Sequence, residues 1–266
     1  MKATLIIPAR DEMKTIGDVV RAVRAVFVGE IIVVDNGSTD ATAERGTEAG
    51  AHVIAEPVAG YGRACMAGVA AAAVDTEVFV FMDGDGSDWP EDIASLLAAV
   101  ANGADLALAV RRGEGVERGS IAPAATFGNW LSGSLIGWLW GRRLHDLSPL
   151  KAVRADTLRL VDPVDRTYGW TVELLASAVA LKLKVVEGPA GYRKRAGGKS
   201  KVSGQLAPSV RAGGRILVTL ARVWWRRPDF TRAGAALGLL AGMVFLGAFV
   251  AWLASVLSLK FVYRSE

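Results

Sequence analysis

The stretch "EVFVFMDGDGSDWPEDI", Glu77 to Ile93, places an unbroken apolar run immediately before three aspartates, Asp83, Asp85 and Asp88. A run that is apolar on both faces belongs inside a parallel sheet covered by helices. Asp88, Pro90 and the acids Glu91 and Asp92 then mark the start of a helix. In open sheets of this kind ligands gather at the carboxyl ends of the strands, where these aspartates stand. Carboxylates packed so tightly repel one another, so either water and Arg/Lys screen them or a cation sits among them.

The same alternation extends outward in both directions. "TLIIPA" (Thr4 to Ala9) and "EIIVVDNGS" (Glu30 to Ser38) are β-branched runs ending in turn residues, with an amphipathic segment from Ile16 to Phe27 between them. That is a β-α-β unit. "AHVIAE" (Ala51 to Glu56), "ADLALAV" (Ala104 to Val110) and "KVVEGPAGY" (Lys184 to Tyr192) read as further strands, and Ala64 to Val74 as an Ala-rich helix. The expected fold is α/β, Rossmann-like, with a mostly parallel sheet flanked by helices. Asp35, Asp83 and Asp85 all stand at strand ends.

A chain of 266 residues, 52% apolar, buries one enzyme-sized core and leaves room for an appendage. From Ala233 to Leu259 there is no charge at all, and about 20 such residues cross a bilayer as a helix. The start, "MKATLIIPAR", is too short in apolar residues for a signal peptide. Arg211, Arg215, Arg222, Arg226, Arg227 and Arg232 precede the apolar run and only Lys260 and Arg264 follow it. This asymmetry predicts a single-pass protein of the cell membrane with its body on the cytosolic side. The net charge of +4 is read as attraction to anionic lipid and not to nucleic acid, because no aromatic-interleaved basic groove accompanies it. The lone Cys65 excludes an internal disulfide and a Cys-rich metal site.

Residues 1–204 are thus expected to form the catalytic domain, 205–232 a juxtamembrane amphipathic helix, 233–259 a transmembrane helix and 260–266 a short tail. Leu206 to Trp225 alternates apolar residues with arginines at helical spacing, as a helix lying on a membrane does. The uncharged, Trp-rich stretch Ile121 to Gly141 is read either as a helix in the membrane interface or as one packed on the sheet. Gly234, Gly238 and Gly242 permit close helix pairing and hence a homo-oligomer, although an Ala/Gly-rich composition accounts for them equally.

Asp83 and Asp85 offer hard oxygen ligands suited to Mg²⁺ or Mn²⁺, ions that keep several waters and share themselves with a phosphate oxygen. Asp-Gly-Asp also makes ordinary turns, and "VVDNGSTDAT" and "PARDE" read equally as capped turns. "GYGRACMAG", Gly60 to Gly68, follows the third strand and lacks the dinucleotide spacing, but Gly60 and Gly62 would let backbone approach a nucleotide closely.

Taken together, "IIPARDE", "IIVVDNGSTDAT", "GYGRA" and "FMDGDGS" resemble the nucleotide-sugar half of a family-2 glycosyltransferase with the GT-A fold. The later "RAGGKSK", Arg195 to Lys201, matches an RxxGxSK pattern and resembles the polyprenyl-phosphate glycosyltransferases of the dolichyl-phosphate mannose synthase type. The resemblance implies that Glu12 and Asp35, with Pro8, Ala9 and Arg10 beside them, contact the nucleoside of a UDP- or GDP-sugar. It implies Asp83 on the ribose or sugar, Asp85 with Asp83 at the metal on the diphosphate, and Arg195, Ser200 and Lys201 in a loop over diphosphate and acceptor. Arg111 and Arg112 would hold an acceptor phosphate, or form a solvated pair at a strand end. The resemblance also places an acid near Glu173, and another at Asp146 before a Ser-Gly-Phe-like turn, where this chain has "DLSPLKA".

The expected activity is metal-dependent, inverting transfer of a sugar from a nucleotide diphosphate to a polyprenyl phosphate held in membrane lipid. A phosphate acceptor, with a second pKa of about 6, is already largely a dianion, so Glu173 need not act as a base. Transfer to another membrane lipid or to a protein is the alternative within enzymes. A membrane-tethered module that binds nucleotide without turnover is the alternative outside them.

Overall fold

The computed structural model describes residues 1–197, 206–229, 231 and 242. Its centre is a seven-stranded sheet in the order β3-β2-β1-β4-β6-β5-β7. The strands are β1 (Ala3–Ala9), β2 (Glu30–Asp35), β3 (His52–Ala55), β4 (Val78–Phe81), β5 (Leu106–Val116), β6 (Lys151–Arg154) and β7 (Val185–Tyr192). The helices between them are α1 (Ile16–Val26), α2 (Thr42–Glu48), α3 (Tyr61–Ala71), α4 (Asp92–Ala101), α5 (Pro123–Trp140), α6 (Ala155–Val161) and α7 (Gly169–Ala180), and α8 (Leu206–Arg226) follows.

Strands β3, β2, β1 and β4 run parallel, as the β-α-β reading expects. β6 is reversed between β4 and β5, and β7 pairs in parallel with β5. The sequence reading assigns no strand at β6, and the reason is physical. Four residues, "KAVR", with a charge at either end, carry no two-residue alternation long enough to mark a strand.

Alternation along the strands sorts the core into two layers. Leu5, Ile7, Val33, Val78 and Val80 face α1 and α4, through Ile16, Val20, Ile93 and Leu96. Ile6, Val34, Phe79, Phe81 and Leu106 face α3, α5 and α7, through Cys65, Ile136, Trp170 and Leu174. All residues of α7 from Gly169 to Val179 are buried. α5 buries Ser132, Gly133, Ile136, Leu139 and Trp140, while Phe127 (61%) and Trp130 (53%) are exposed, their rings 5.8 Å apart. The two readings of this helix are therefore not exclusive: one face packs on the domain and another presents aromatics outward.

α8 packs on α7 and α5. It buries Thr219, Leu220 and Val223, and Arg215, Arg222 and Arg226 turn toward the domain. Arg215 and Arg222 lie 3.1 and 3.6 Å from fully buried Asp165, and Arg226 lies 3.2 Å from buried Glu173. Arg227 donates to the carbonyls of Leu160 and Val161 at 3.2 and 2.9 Å. Charge that the sequence reading gives wholly to lipid is thus committed in part to buried carboxylates. Residues 233–241 and 243–259 and the tail 260–266 lie outside the described residues, and no helix among the described residues is long and apolar enough to cross a membrane.

Candidate active site

The loops that leave β1, β2, β3 and β4 are laced together by side chains. Asp11, held at φ 51°, accepts the Thr39 N–H at 2.8 Å, and its own N–H donates to Ser38 Oγ at 3.0 Å. The Glu12 N–H donates to Thr42 Oγ1 at 2.8 Å, and Asp35 accepts the Ser38 N–H at 3.0 Å. Buried Asn36 donates to the carbonyls of Glu56 and Val58 and accepts the Gly60 N–H at 2.7 Å, fixing the third loop. Thr15 Oγ1 donates to the Gly84 carbonyl at 2.8 Å, which pins the aspartate turn to the start of α1. Asn36 and Thr15 are absent from the sequence reading, because a turn asparagine and a threonine before a helix are ordinarily local caps.

Within this frame Asp85 is buried, and Oδ1 accepts both the N–H (2.9 Å) and the hydroxyl of Ser87. Its other oxygen faces Arg195 Nη2 at 2.9 Å, and Arg195 Nη1 donates to Glu12 Oε1 at 2.6 Å. One guanidinium therefore bridges the loop after β1 and the turn after β4. Asp88 is buried, accepts the Asp83 N–H at 3.3 Å and forms a backbone bridge with Tyr192. Burial first, and then the neighbouring carboxylates, hold the carboxyls of Asp83 and Asp88 well above the ordinary range.

Lys151, fully buried on β6, lies on the same side and is the cation that sequence reasoning missed. Its Nζ donates to the Pro149 carbonyl at 2.8 Å and stands 5.7 and 5.9 Å from the ring centroids of Trp170 and Phe81. Burial lowers its amine pKa, while Cys65, Asp83 and Asp88 act in the opposite direction. A lysine inside "SPLKAV" was the available signal.

Four readings change on contact with the geometry. Arg111 binds Asp146 through Nε and Nη2 at 2.8 and 2.7 Å, a buried bidentate pair that Asn129 joins at 2.7 Å, so its guanidinium is a fastener between β5 and α5 and not a free phosphate ligand. Arg112, one residue on, is exposed. Glu173 accepts the N–H groups of Val164 and Asp165 at 3.0 and 2.7 Å and pairs with Arg226, so both its oxygens hold structure and not a reacting proton. At Gly60 and Gly62 the approaching backbone belongs to the protein itself. A Cβ there would stand 2.3 Å from the carbonyl oxygen of Arg166 and of Asp165, respectively. Gly62→Ala is accordingly expected to destabilise the domain by about 1–3 kcal/mol in urea unfolding, as forced overpacking does.

Of the remaining predicted residues, Pro8 and Ala9 end β1, with Arg10 and Glu12 just beyond it, and Asp35 ends β2 beside them. Ser200 and Lys201 lie outside the described residues. The donor set fits a small hard cation: the carboxylates of Asp83, Asp85 and Asp88 crowd one turn, and burial with the neighbouring carboxylates resists the ionisation of Asp83 and Asp88. Among the described residues no three acids, histidines or cysteines converge to cage an ion alone. The fit is therefore to an ion that keeps waters and shares a phosphate oxygen, as Mg²⁺ and Mn²⁺ do.

Comparison with known proteins agrees with this geometry. The description "Glycosyl transferase family 2" matches residues 4–154. An uncharacterized glycosyltransferase of Mycobacterium tuberculosis (strain ATCC 25618 / H37Rv) is 36% identical over 212 residues, 78% of this chain and 92% of the relative. The undecaprenyl-phosphate mannosyltransferase of Micrococcus luteus is 30% identical over 260 residues, 90% of this chain and 100% of the relative. The polyprenol monophosphomannose synthase of Mycolicibacterium smegmatis is 32% identical over 228 residues, covering 76% and 82%. Among solved structures, glucosyl-3-phosphoglycerate synthase from Mycobacterium tuberculosis with Mn²⁺, UDP-glucose and phosphoglyceric acid aligns with a TM-score of 0.66 over 86% of this chain and 81% of that one. At 24% identity, that likeness speaks for the fold.

Proposed function

We propose, from the premise that this chain belongs to glycosyl transferase family 2 and is a glycosyltransferase, that it moves a sugar from a nucleotide diphosphate onto a polyprenyl phosphate at the cytosolic face of a membrane. The observation that carries the reading is the Asp85–Arg195–Glu12 constellation at the carboxyl ends of β1 and β4, where an open α/β sheet binds its ligand. Names of relatives support the lipid phosphate acceptor. So does the outward aromatic face of α5, with Trp225 of α8 87% exposed just before the uncharged run 233–259. Exposed aromatics next to an apolar segment suit a lipid interface.

In this reading the bond from the anomeric carbon to the diphosphate breaks and one to an oxygen of the acceptor phosphate forms, with inversion. The acceptor is already a dianion, so no proton has to be taken from it. Glu12, Asp35 and the ends of β1 and β2 position the nucleoside. Asp85, with Asp83, would hold Mg²⁺ or Mn²⁺, which supplies Lewis-acid neutralisation of the leaving diphosphate. Arg195 adds a fixed positive charge where that group departs.

The direct test incubates membranes containing the protein with labelled UDP- and GDP-sugars and polyprenyl phosphate. Label entering the lipid phase supports the reading. Label on protein or on a water-soluble phosphate overturns the acceptor, and bound nucleotide without sugar release marks a binding module. Glu173→Gln is expected to keep transfer within about threefold of the wild type, whereas losing a general base costs about 10²–10⁴. A drop of that larger size would point to a hydroxyl acceptor.

A further inference from the structure

Every carboxylate oxygen of Asp85 already has a partner. Oδ1 is taken by Ser87, two residues on in the same turn, and Oδ2 by Arg195, which arrives from a distant part of the chain. The Ser87 contacts are buried and local. The Arg195 side chain is 29% exposed and rides on a short segment laid across the turn. Three hydrogen bonds tie that segment to the turn: the Arg193 N–H to the Ser87 carbonyl (2.9 Å), Arg193 Nε to the Gly86 carbonyl (2.6 Å), and the Ala196 N–H to the Asp85 carbonyl (3.2 Å). A cation that approaches Oδ2 of Asp85 therefore meets a guanidinium held by two charge-assisted contacts, to Asp85 and to Glu12.

We propose that Arg195 occupies the cation position of the acid cluster until a diphosphate arrives, so that the divalent ion binds together with the donor and not before it. This rests on the metal-dependent reading of the same site given above. The exchange conserves charge. An ion arriving alone takes Asp85 from Arg195 and leaves it on Glu12 alone, beside a new positive charge. An ion arriving with a diphosphate takes the carboxylate and offers the guanidinium two phosphate oxygens, a planar match as good as the one it leaves. Glu12 then loses its bond to Arg195 at the moment the nucleoside reaches the loop after β1. Binding of ion and diphosphate is thereby cooperative without movement of any strand, the coupling running through one side chain with two sets of partners.

The proposal predicts effects of opposite sign from one substitution, which a merely structural arginine does not produce. Mn²⁺ binding to the full-length protein in detergent is measured by electron paramagnetic resonance, alone and with UDP or GDP. In Arg195→Gln, Mn²⁺ alone is expected to bind about tenfold more tightly than in the wild type, while UDP or GDP with Mn²⁺ binds about tenfold more weakly, each the worth of one charge-assisted contact. Arg195→Lys, which keeps the charge without the planar fork, is expected to fall between for both. Equal or weaker binding of Mn²⁺ alone to Arg195→Gln, at a site abolished by Asp85→Asn, overturns the proposal and leaves the metal reading intact. Absence of Asp85-dependent Mn²⁺ binding in every variant, even with nucleotide, overturns both. Thermal melting of each variant confirms that the protein measured is folded.

Discussion

Replacing Asp85 with asparagine is expected to lower sugar transfer by about a thousandfold, the upper end of what losing one preorganised electrostatic contact costs. Asparagine keeps an oxygen for the Ser87 N–H and hydroxyl, so the turn after β4 survives. What disappears is the negative charge that faces Arg195 and would face a divalent ion. Folding should not suffer, because Asp85 raises the cost of ionising Asp83 and Asp88 and its neutralisation relieves that repulsion. The check is transfer of labelled sugar at saturating donor, with and without chelator, beside a thermal melt. Chelator should reduce the wild type to a similar level and leave Asp85→Asn unchanged. A variant with near-normal rates, or one that chelator still inhibits strongly, would remove Asp85 from the metal site.

The second large effect concerns stability. Asp146→Ala is expected to lower the unfolding free energy by about 3–5 kcal/mol, since it leaves a buried guanidinium without its carboxylate. Asp146 is 4% exposed and accepts from the Arg111 side chain twice, from the Arg111 and Leu147 N–H groups, and from Asn129. These contacts tie β5, α5 and the segment before β6 at one point. Arg111 also lies 4.8 Å from the ring centroid of Tyr192, the residue that bridges to Asp88, so the damage should reach the aspartate turn. Urea unfolding followed by circular dichroism measures the loss. A change below about 1 kcal/mol would place the pair in the class of exposed ion pairs.

Much of the fold was legible because β1, β2 and β4 are apolar on both faces, a pattern that only a covered parallel sheet accommodates. The acids at their ends were legible for the same reason, since a strand end fixes where the following residue stands. β6 was not, because its identity depends on pairing with β4 and β5 and not on its own four residues. Gly60 and Gly62 announced a close approach, read as that of a nucleotide, and the backbone at Asp165 and Arg166 is what stands against them. The sequence left the role of Glu173 open, because spacing does not reveal that Val164 and Asp165 fold back to donate to it. Lys151 was invisible because its aromatic walls arrive from β4 and α7 and its neighbouring acids from the turn after β4.

Arg215, Arg222 and Arg226 are spaced by seven and four residues, which puts them on one side of α8, each riveted to an acid of the catalytic body. A loose leash would let that body swing freely on the chain that follows. A riveted strut fixes the direction in which the chain leaves α8. Lengthening the chain after Arg227 should leave the body undisturbed, whereas one residue inserted between Arg215 and Arg222 rotates the rivets out of line by about 100°.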